Sequence, residues 1–227
     1  MSLADQILYE DNHLLAINKL PGQITQGDKT GDAPLAELVK AFIKERDHKP
    51  GNVYCGVIHR LDRPVSGVVL LAKTSKALSR MTQLVRTREF EKHYWAVVRN
   101  APPQTAGVLE NWLIKVEERN KSYVVNSGRP NAKLARLEYT ELAVSSGGYH
   151  LLDINLHTGR HHQIRCQLAN IGCPIKGDLK YGAERSNPDG SISLHAHSIS
   201  FEHPVSHQWV SIQAPNPQIE KMFNLQQ

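Results

Sequence analysis

Four ionisable side chains fall within five positions at His59, Arg60, Asp62 and Arg63. A turn-like Pro-Val-Ser-Gly follows, and then the apolar run Val68-Val69-Leu70-Leu71-Ala72. One carboxylate among cations beside a buried strand has two readings. It is a surface ion pair, worth less than about 1 kcal/mol, or it is a carboxylate held ionised for chemistry, because a neighbouring guanidinium favours the charged form. A second stretch, TGRHHQIRCQLANIGCP at 158–174, places Arg160, His161, His162 and Arg165 at and inside a helix. Its histidines are read as hydrogen-bond partners of backbone or phosphate.

Other chemistries are harder to build from this chain. His195 and His197 alternate on a strand and point the same way. Cys166 lies one helical turn beyond His162, yet no H-x-x-x-H or C-x-x-C spacing occurs, so no metal is expected. Ser66 precedes Gly67 without the G-x-S-x-G elbow of a hydrolase. A glycosidase requires a second carboxylate about 5–10 Å from the first, and nothing in the spacing pairs Asp178 or Glu91 with Asp62.

The chain has 227 residues, enough for one large domain or one domain with two lobes. Three cysteines with no C-x-x-C pair argue against a disulfide framework and for a reducing cytosol. The N-terminus shows no signal peptide. The apolar runs are far shorter than the roughly 20 residues of a membrane span, so a soluble, cytoplasmic protein is expected. Of the net charge of +5, residues 59–99 carry nine Lys/Arg against three Asp/Glu. That local excess of +6 leaves about −1 on the rest. It is the footprint of a phosphate-backbone binder, or else a solvated helix face.

The elements that must position these residues read as follows. Strands at QILYE and HLLAINK flank a hairpin turn at Asp11-Asn12. The loop 20–32 is Gly-rich but lacks the G-K-[ST] of a P-loop. Asp32 is expected to cap a helix with Leu35, Leu38, Val39, Phe42 and Ile43 on one face. VYCGVI and GVVLLAK read as central, doubly covered strands. A helix starting at Thr74 or Ser75 turns Leu78, Met81, Leu84 and Val85 inward and leaves Arg80, Arg86 and Arg88 to solvent. A strand at KHYWAVVRN leads to APPQTAG, 101–107, the expected lobe boundary. Strands follow near 108–116, 121–126, 132–143 and 149–156. In the second motif Ile164, Leu168 and Ile171 keep helical spacing, and Gly172 with Pro174 ends the helix. Closing strands are expected at ISLHAHSISF and QWVSIQA. The fold class is α+β with a mixed, largely antiparallel sheet, because strands and helices do not alternate as βαβ units.

The two stretches converge on a family. HRLDRPVSGVVLLAKT resembles the H-R-L-D-x-x-T-S-G motif of RluA-type RNA pseudouridine synthases. INKLPG resembles the family's N-K-P-x-G, and FEKHYWAVV its K-x-Y-x-A segment. LHTGRHHQIRCQLANIGCPIKGDLKYG is similar to G-R-x-H-Q-I-R…G-x-P-I-x-G-D-x-x-Y-G, and LHAHSISFEHP to the closing L-H-A-x-x-L-x-F-x-H-P. These five segments are collinear and span most of the chain.

The resemblance implies a pseudouridine synthase fold, two lobes around a basic catalytic cleft, as a single catalytic domain over 1–227 without the S4 domain frequent in the family. It implies isomerisation of uridine in tRNA or rRNA with no cofactor and no metal, by a protein expected to be a monomer. The family's catalytic aspartate falls on Asp62, the tyrosine against the base on Tyr94, and the arginine paired with the aspartate on Arg165. Arg60 takes the place of the arginine that fills the gap left by the flipped base. Further RNA contacts are expected from Arg63, Arg160 and His162, while His59 reads as structural. Taken alone, Tyr94 would read as a core aromatic. The competing function is a catalytically silent RNA-binding protein on the same scaffold. Two departures stand out: Val65 replaces the usual threonine, and the proline of NKLPG comes one place late.

Overall fold

The computed structural model describes residues 2–27 and 31–225. Asp28, Lys29 and Thr30 of the loop 20–32 lie outside the described residues. In chain order the elements are β1 (Ile7–Glu10), β2 (Leu14–Lys19), α1 (Leu35–Arg46), β3 (Gly56–Val57), β4 (Ser66–Ala72), α2 (Ser75–Thr87), β5 (Phe90–Val98), β6 (Ala106–Val116), β7 (Lys121–Val125), β8 (Lys133–Val144), β9 (His150–Leu156), α3 (Gln163–Asn170), β10 (Leu194–Glu202), β11 (Trp209–Gln213) and α4 (Pro217–Phe223). Strand pairing is antiparallel between β1 and β2, β2 and β4, β5 and β9, β9 and β8, β8 and β6, and β6 and β7. The mixed α+β class expected from the sequence is the observed one.

The chain forms two compact units, Met1–Glu91 with Ala196–Pro215, and Lys92–His195 with Asn216–Gln227. The division falls inside β5 and β10, not at 101–107. Those residues join β5 to β6 within the second unit. A boundary crossed by two unbroken strands carries no Pro/Gly signature, so the sequence marked the wrong connector.

In the first unit β4 lies between β2 and β10. Every residue of the strand after Ser66 is buried, as are Leu14, Leu15, Ala16 and Ile17 opposite it on β2. Val68, Leu70 and Ala72 share one core with Leu14, Ile58, Met81, Phe90, Ile199 and Phe201. The stacked rings of Phe90 and Phe201 lie 5.4 Å apart within it. Each such aliphatic side chain contributes about 1.5–3 kcal/mol by leaving water. The remainder of β4 is buried on its other face too, which is why its sequence does not alternate.

Thr74 caps α2 by accepting from the Ala77 N–H at 3.1 Å, and Leu78, Leu84 and Val85 pack on the core as expected. Arg86 and Arg88 are exposed, while Arg80 also donates to the Pro204 carbonyl at 2.7 Å. The expected Asp32 cap on α1 is not made. Pro34 is the N-cap, and Asp32 instead pairs with Arg63 at 2.6 Å. Pro34 fixes the helix start two residues later than a cap at Asp32 would allow. VYCGVI contributes only the two-residue β3.

In the second unit the strand order is β5-β9-β8-β6-β7. Helix α3 packs on the face that carries Leu113 and Ala135, through Cys166. The Gln167 side chain ties it to the Leu109 and Ala135 carbonyls at 3.0 and 3.4 Å. Helix α4 went unrecognised in the sequence. Ile219 and Phe223 bury it against Val97 and Leu151. Asn216 caps it, with Pro217 at its first position.

Candidate active site

Asp62 sits in the loop between β3 and β4 of the first unit, half-buried, where its carbonyl accepts the Val65 N–H at 3.0 Å to close a tight turn. The backbone on both sides of it is clamped. On one side, the buried Thr25 hydroxyl exchanges hydrogen bonds with the Leu61 N–H and carbonyl, both at 3.3 Å. On the other, the Arg63 carbonyl accepts from Gly22 N–H at 2.9 Å and from the Lys19 ammonium at 3.2 Å. Lys19 also donates to the Leu20 carbonyl at 3.0 Å and is fully buried. Loss of water pulls its pKa down to about 7; the charge on Asp62 opposes that fall and Arg63 adds to it.

The flanking motif residues are fixed as firmly. His59 Nε2 accepts the Leu70 N–H at 3.1 Å, so the imidazole proton resides on Nδ1, and its ring rests on Phe90 at 5.5 Å. This agrees with its structural reading. At Gly67, φ is +114° and a Cβ would stand 2.3 Å from the Ala196 carbonyl oxygen. Only glycine lets β10 approach β4 there, which accounts for the glycine that ends the motif.

In the second unit Tyr94 is buried on β5, in register with Ile154 of β9, which is in turn opposite Tyr139 of β8. Strand alternation puts Tyr94 on the face that α3 covers, since Leu137 and Ala135 share that face. Arg165 projects from α3 with 5% exposure, and its Nε and Nη2 donate to the two oxygens of Asp178 at 2.7 and 2.9 Å. The guanidinium lies 5.2 Å over the Tyr181 ring. Asp178 is 1% exposed. A buried bidentate pair of this kind fixes the guanidinium plane.

The family model described as RNA pseudouridylate synthase matches residues 13–170. The chain belongs to the RNA pseudouridylate synthase family. It is 37% identical over 168 residues to an uncharacterized RNA pseudouridine synthase of Chloroflexus aurantiacus, covering 74% of this chain and 52% of the relative. It is 31% identical to the ribosomal large subunit pseudouridine synthase C of Buchnera aphidicola, over 94% of this chain and 68% of that protein. With the tRNA pseudouridine synthase C of Pectobacterium carotovorum the figures are 32%, 92% and 58%. The chain therefore spans between about half and two thirds of the length of these relatives. Among solved structures, human RNA Pseudouridylate Synthase Domain Containing 4 shares the fold, with a TM-score of 0.80 at 24% identity over 96% of this chain and 90% of that one.

Within this member of the family the remaining site expectations fare differently. Arg60 is exposed and makes no hydrogen bond or ion pair among the described residues. Arg63 is bound to Asp32. Arg160 is exposed and donates through Nε to the Leu134 carbonyl at 2.9 Å. His162, expected to contact RNA, lies inside the second unit. Its ring is buried, stacked on His161 with centroids 3.8 Å apart, and its Nδ1 is 3.1 Å from the Tyr181 hydroxyl. Burial, then the nearby Arg165 charge, pushes its pKa down to about 2, so it is neutral and offers a phosphate no charge.

Sequence reasoning missed Asp178, Tyr181, Thr25 and Lys19. The first two lie in KGDLKYG, where Gly177 at φ +90° brings the backbone within 2.8 Å, from its Cβ position, of the Ser191 carbonyl. The spacing of that motif does not reveal that its aspartate takes the arginine of a helix 13 residues earlier. Among the described residues no group of three or more His, Cys, Asp or Glu is placed to hold a metal ion. Among the described residues no helix is long and apolar enough to cross a membrane.

Proposed function

We propose that this chain isomerises uridine within structured RNA to pseudouridine. The N1–C1′ bond breaks, the uracil turns, and C5 joins C1′; C5 gives up its proton and N1 ends with one. The target uracil must first leave its stack, at a cost of a few kcal/mol. Arg60, exposed and without a partner among the described residues, fills the vacated space with its planar guanidinium. Asp62 acts as an anion, either attacking C1′ or taking a sugar proton. Tyr94 presents its ring to the uracil and its hydroxyl to the C5 proton. Arg165, oriented by Asp178, supplies a permanent, fixed positive charge. Ribosomal and transfer RNA are the substrate classes, as in the names of the relatives.

The observation that carries this reading is the clamping of the Asp62 turn. Hydrogen bonds from the Gly22 N–H and the Thr25 and Lys19 side chains to the backbone of Leu61 and Arg63 hold the turn that carries the carboxylate. Pre-positioning of this kind suits a reacting group. The test is tritium release from C5-labelled uridine in ribosomal and transfer RNA transcripts. The wild type is expected to release tritium and form pseudouridine. Asp62→Asn keeps the shape, abolishes release and leaves RNA affinity within a few fold. Pseudouridine formed by Asp62→Asn at a near-native rate would refute the assignment.

A further inference from the structure

Lys92 begins the β5 segment of the second unit, two residues before Tyr94. Strand alternation places both on the face covered by α3, roughly 7 Å apart along the strand. Its ammonium makes no hydrogen bond or ion pair among the described residues. Burial lowers its pKa, and no neighbouring charge compensates. A desolvated cation with three unused donors is costly unless something supplies acceptors. The ammonium also lies 3.8 Å from the Cβ position of Gly159. Arg160 follows immediately; its one described side-chain hydrogen bond uses Nε, leaving the two terminal nitrogens without a partner among the described residues. Two cations thus flank one side-chain-free stretch of backbone, beside the tyrosine.

We propose that Lys92, with Arg160 beyond Gly159, forms an anion site that takes the phosphate of the nucleotide whose base lies on Tyr94. This rests on the function proposed above. A phosphate matches the ammonium better than a uracil carbonyl does, because it carries a full charge and several acceptor oxygens. That no carboxylate pairs with Lys92 among the described residues fits the same occupant, since a resident carboxylate would compete with it.

The experiment measures RNA affinity against salt concentration, and turnover at saturating RNA, for the wild type, Lys92→Gln and Lys92→Arg. Lys92→Gln is expected to weaken binding about five- to tenfold near 50 mM salt. It should reduce the magnitude of the log K against log salt slope by about 0.7–0.9, one phosphate contact. Lys92→Arg should restore the slope. Lys92→Gln should melt at or above the wild-type temperature, because it removes a desolvated charge. An unchanged slope overturns the proposal, whether turnover falls or not. So does a variant that unfolds, which would make the lysine a structural group. The salt slope is read from binding alone. A wild type that binds RNA but makes no pseudouridine therefore refutes the proposed function while leaving the anion site to be judged separately.

Discussion

Lys19 offers a test of the Asp62 scaffold that needs no substrate. Its amine is fully buried at the end of β2, and its pKa stands near 7 where the ordinary value is 10.5. The folded value is the lower of the two. Between them the unfolded chain binds more protons, so stability rises with pH across that window. Below about pH 7 both states carry the charge and its burial cost is complete; above about 10.5 neither does. The full cost is about 5 kcal/mol at 1.36 kcal/mol per unit. From pH 7 to pH 9 the recovered part is about 2 kcal/mol by the same relation. Lys19→Met abolishes the titration. It also strips donors from the Leu20 and Arg63 carbonyls, a loss of about 1–3 kcal/mol that does not vary with pH. Urea unfolding of both proteins at pH 7, 8 and 9 isolates the lysine, because every other group cancels in the difference. The wild type should gain about 2 kcal/mol on the variant over that range. A difference that stays flat would mean that the amine is already neutral or is solvated, and the clamp on the Asp62 turn would lose its charged member.

Three further outcomes follow from the geometry. Asp178→Asn removes the bidentate carboxylate of a buried guanidinium and should cost about 3–5 kcal/mol in denaturant unfolding; a loss below about 1 kcal/mol would show that the pair is not what holds Arg165. Gly67→Ala forces a Cβ against the Ala196 carbonyl at a φ of +114°, so β4 and β10 must part, and a loss above about 2 kcal/mol in thermal or urea melts is expected. Arg60→Ala should leave the melting temperature unchanged and lower turnover more than RNA affinity; equal weakening on every RNA, with turnover intact, would reduce Arg60 to a phosphate contact.

Much of this fold is visible in the sequence because local rules and tertiary packing agree. The uninterrupted apolar run of β4 announces a strand covered on both faces, and Thr74 with Ala77 three residues on announces α2. Failures arise where the deciding partner is distant. Asp32 has the residue type of a cap, but Arg63, 31 positions away, takes it, and Pro34 sets the helix start. His162 has the residue type of a phosphate ligand, yet Tyr181 and His161 enclose it. Helix α4 is short, and its apolar face is only two buried residues, too few to show a period. The motif around Asp62 named the carboxylate and its neighbours. It did not reveal that Thr25 and Lys19 hold that turn, because neither adjoins it in sequence.

The division of the chain inside β5 and β10 bears on how the protein is made. The first unit is assembled from residues 1–91 and 196–215, so β4 acquires its β10 neighbour only after the whole of 92–195 has been synthesised. At roughly 5–20 residues per second, the apolar edge of β4 waits about 5–20 s on the ribosome. During that interval the part of it that β3 does not pair is an open, hydrophobic strand edge, the kind of surface that recruits other chains. The strands of the second unit, β5 to β9, leave the ribosome within that same interval. Their sheet can form while the turn that carries Asp62 still lacks the strand that Gly67 makes room for. Synthesis thus orders the two halves: the unit that bears Tyr94 and Arg165 is complete in its sheet first, and the unit that bears Asp62 closes last.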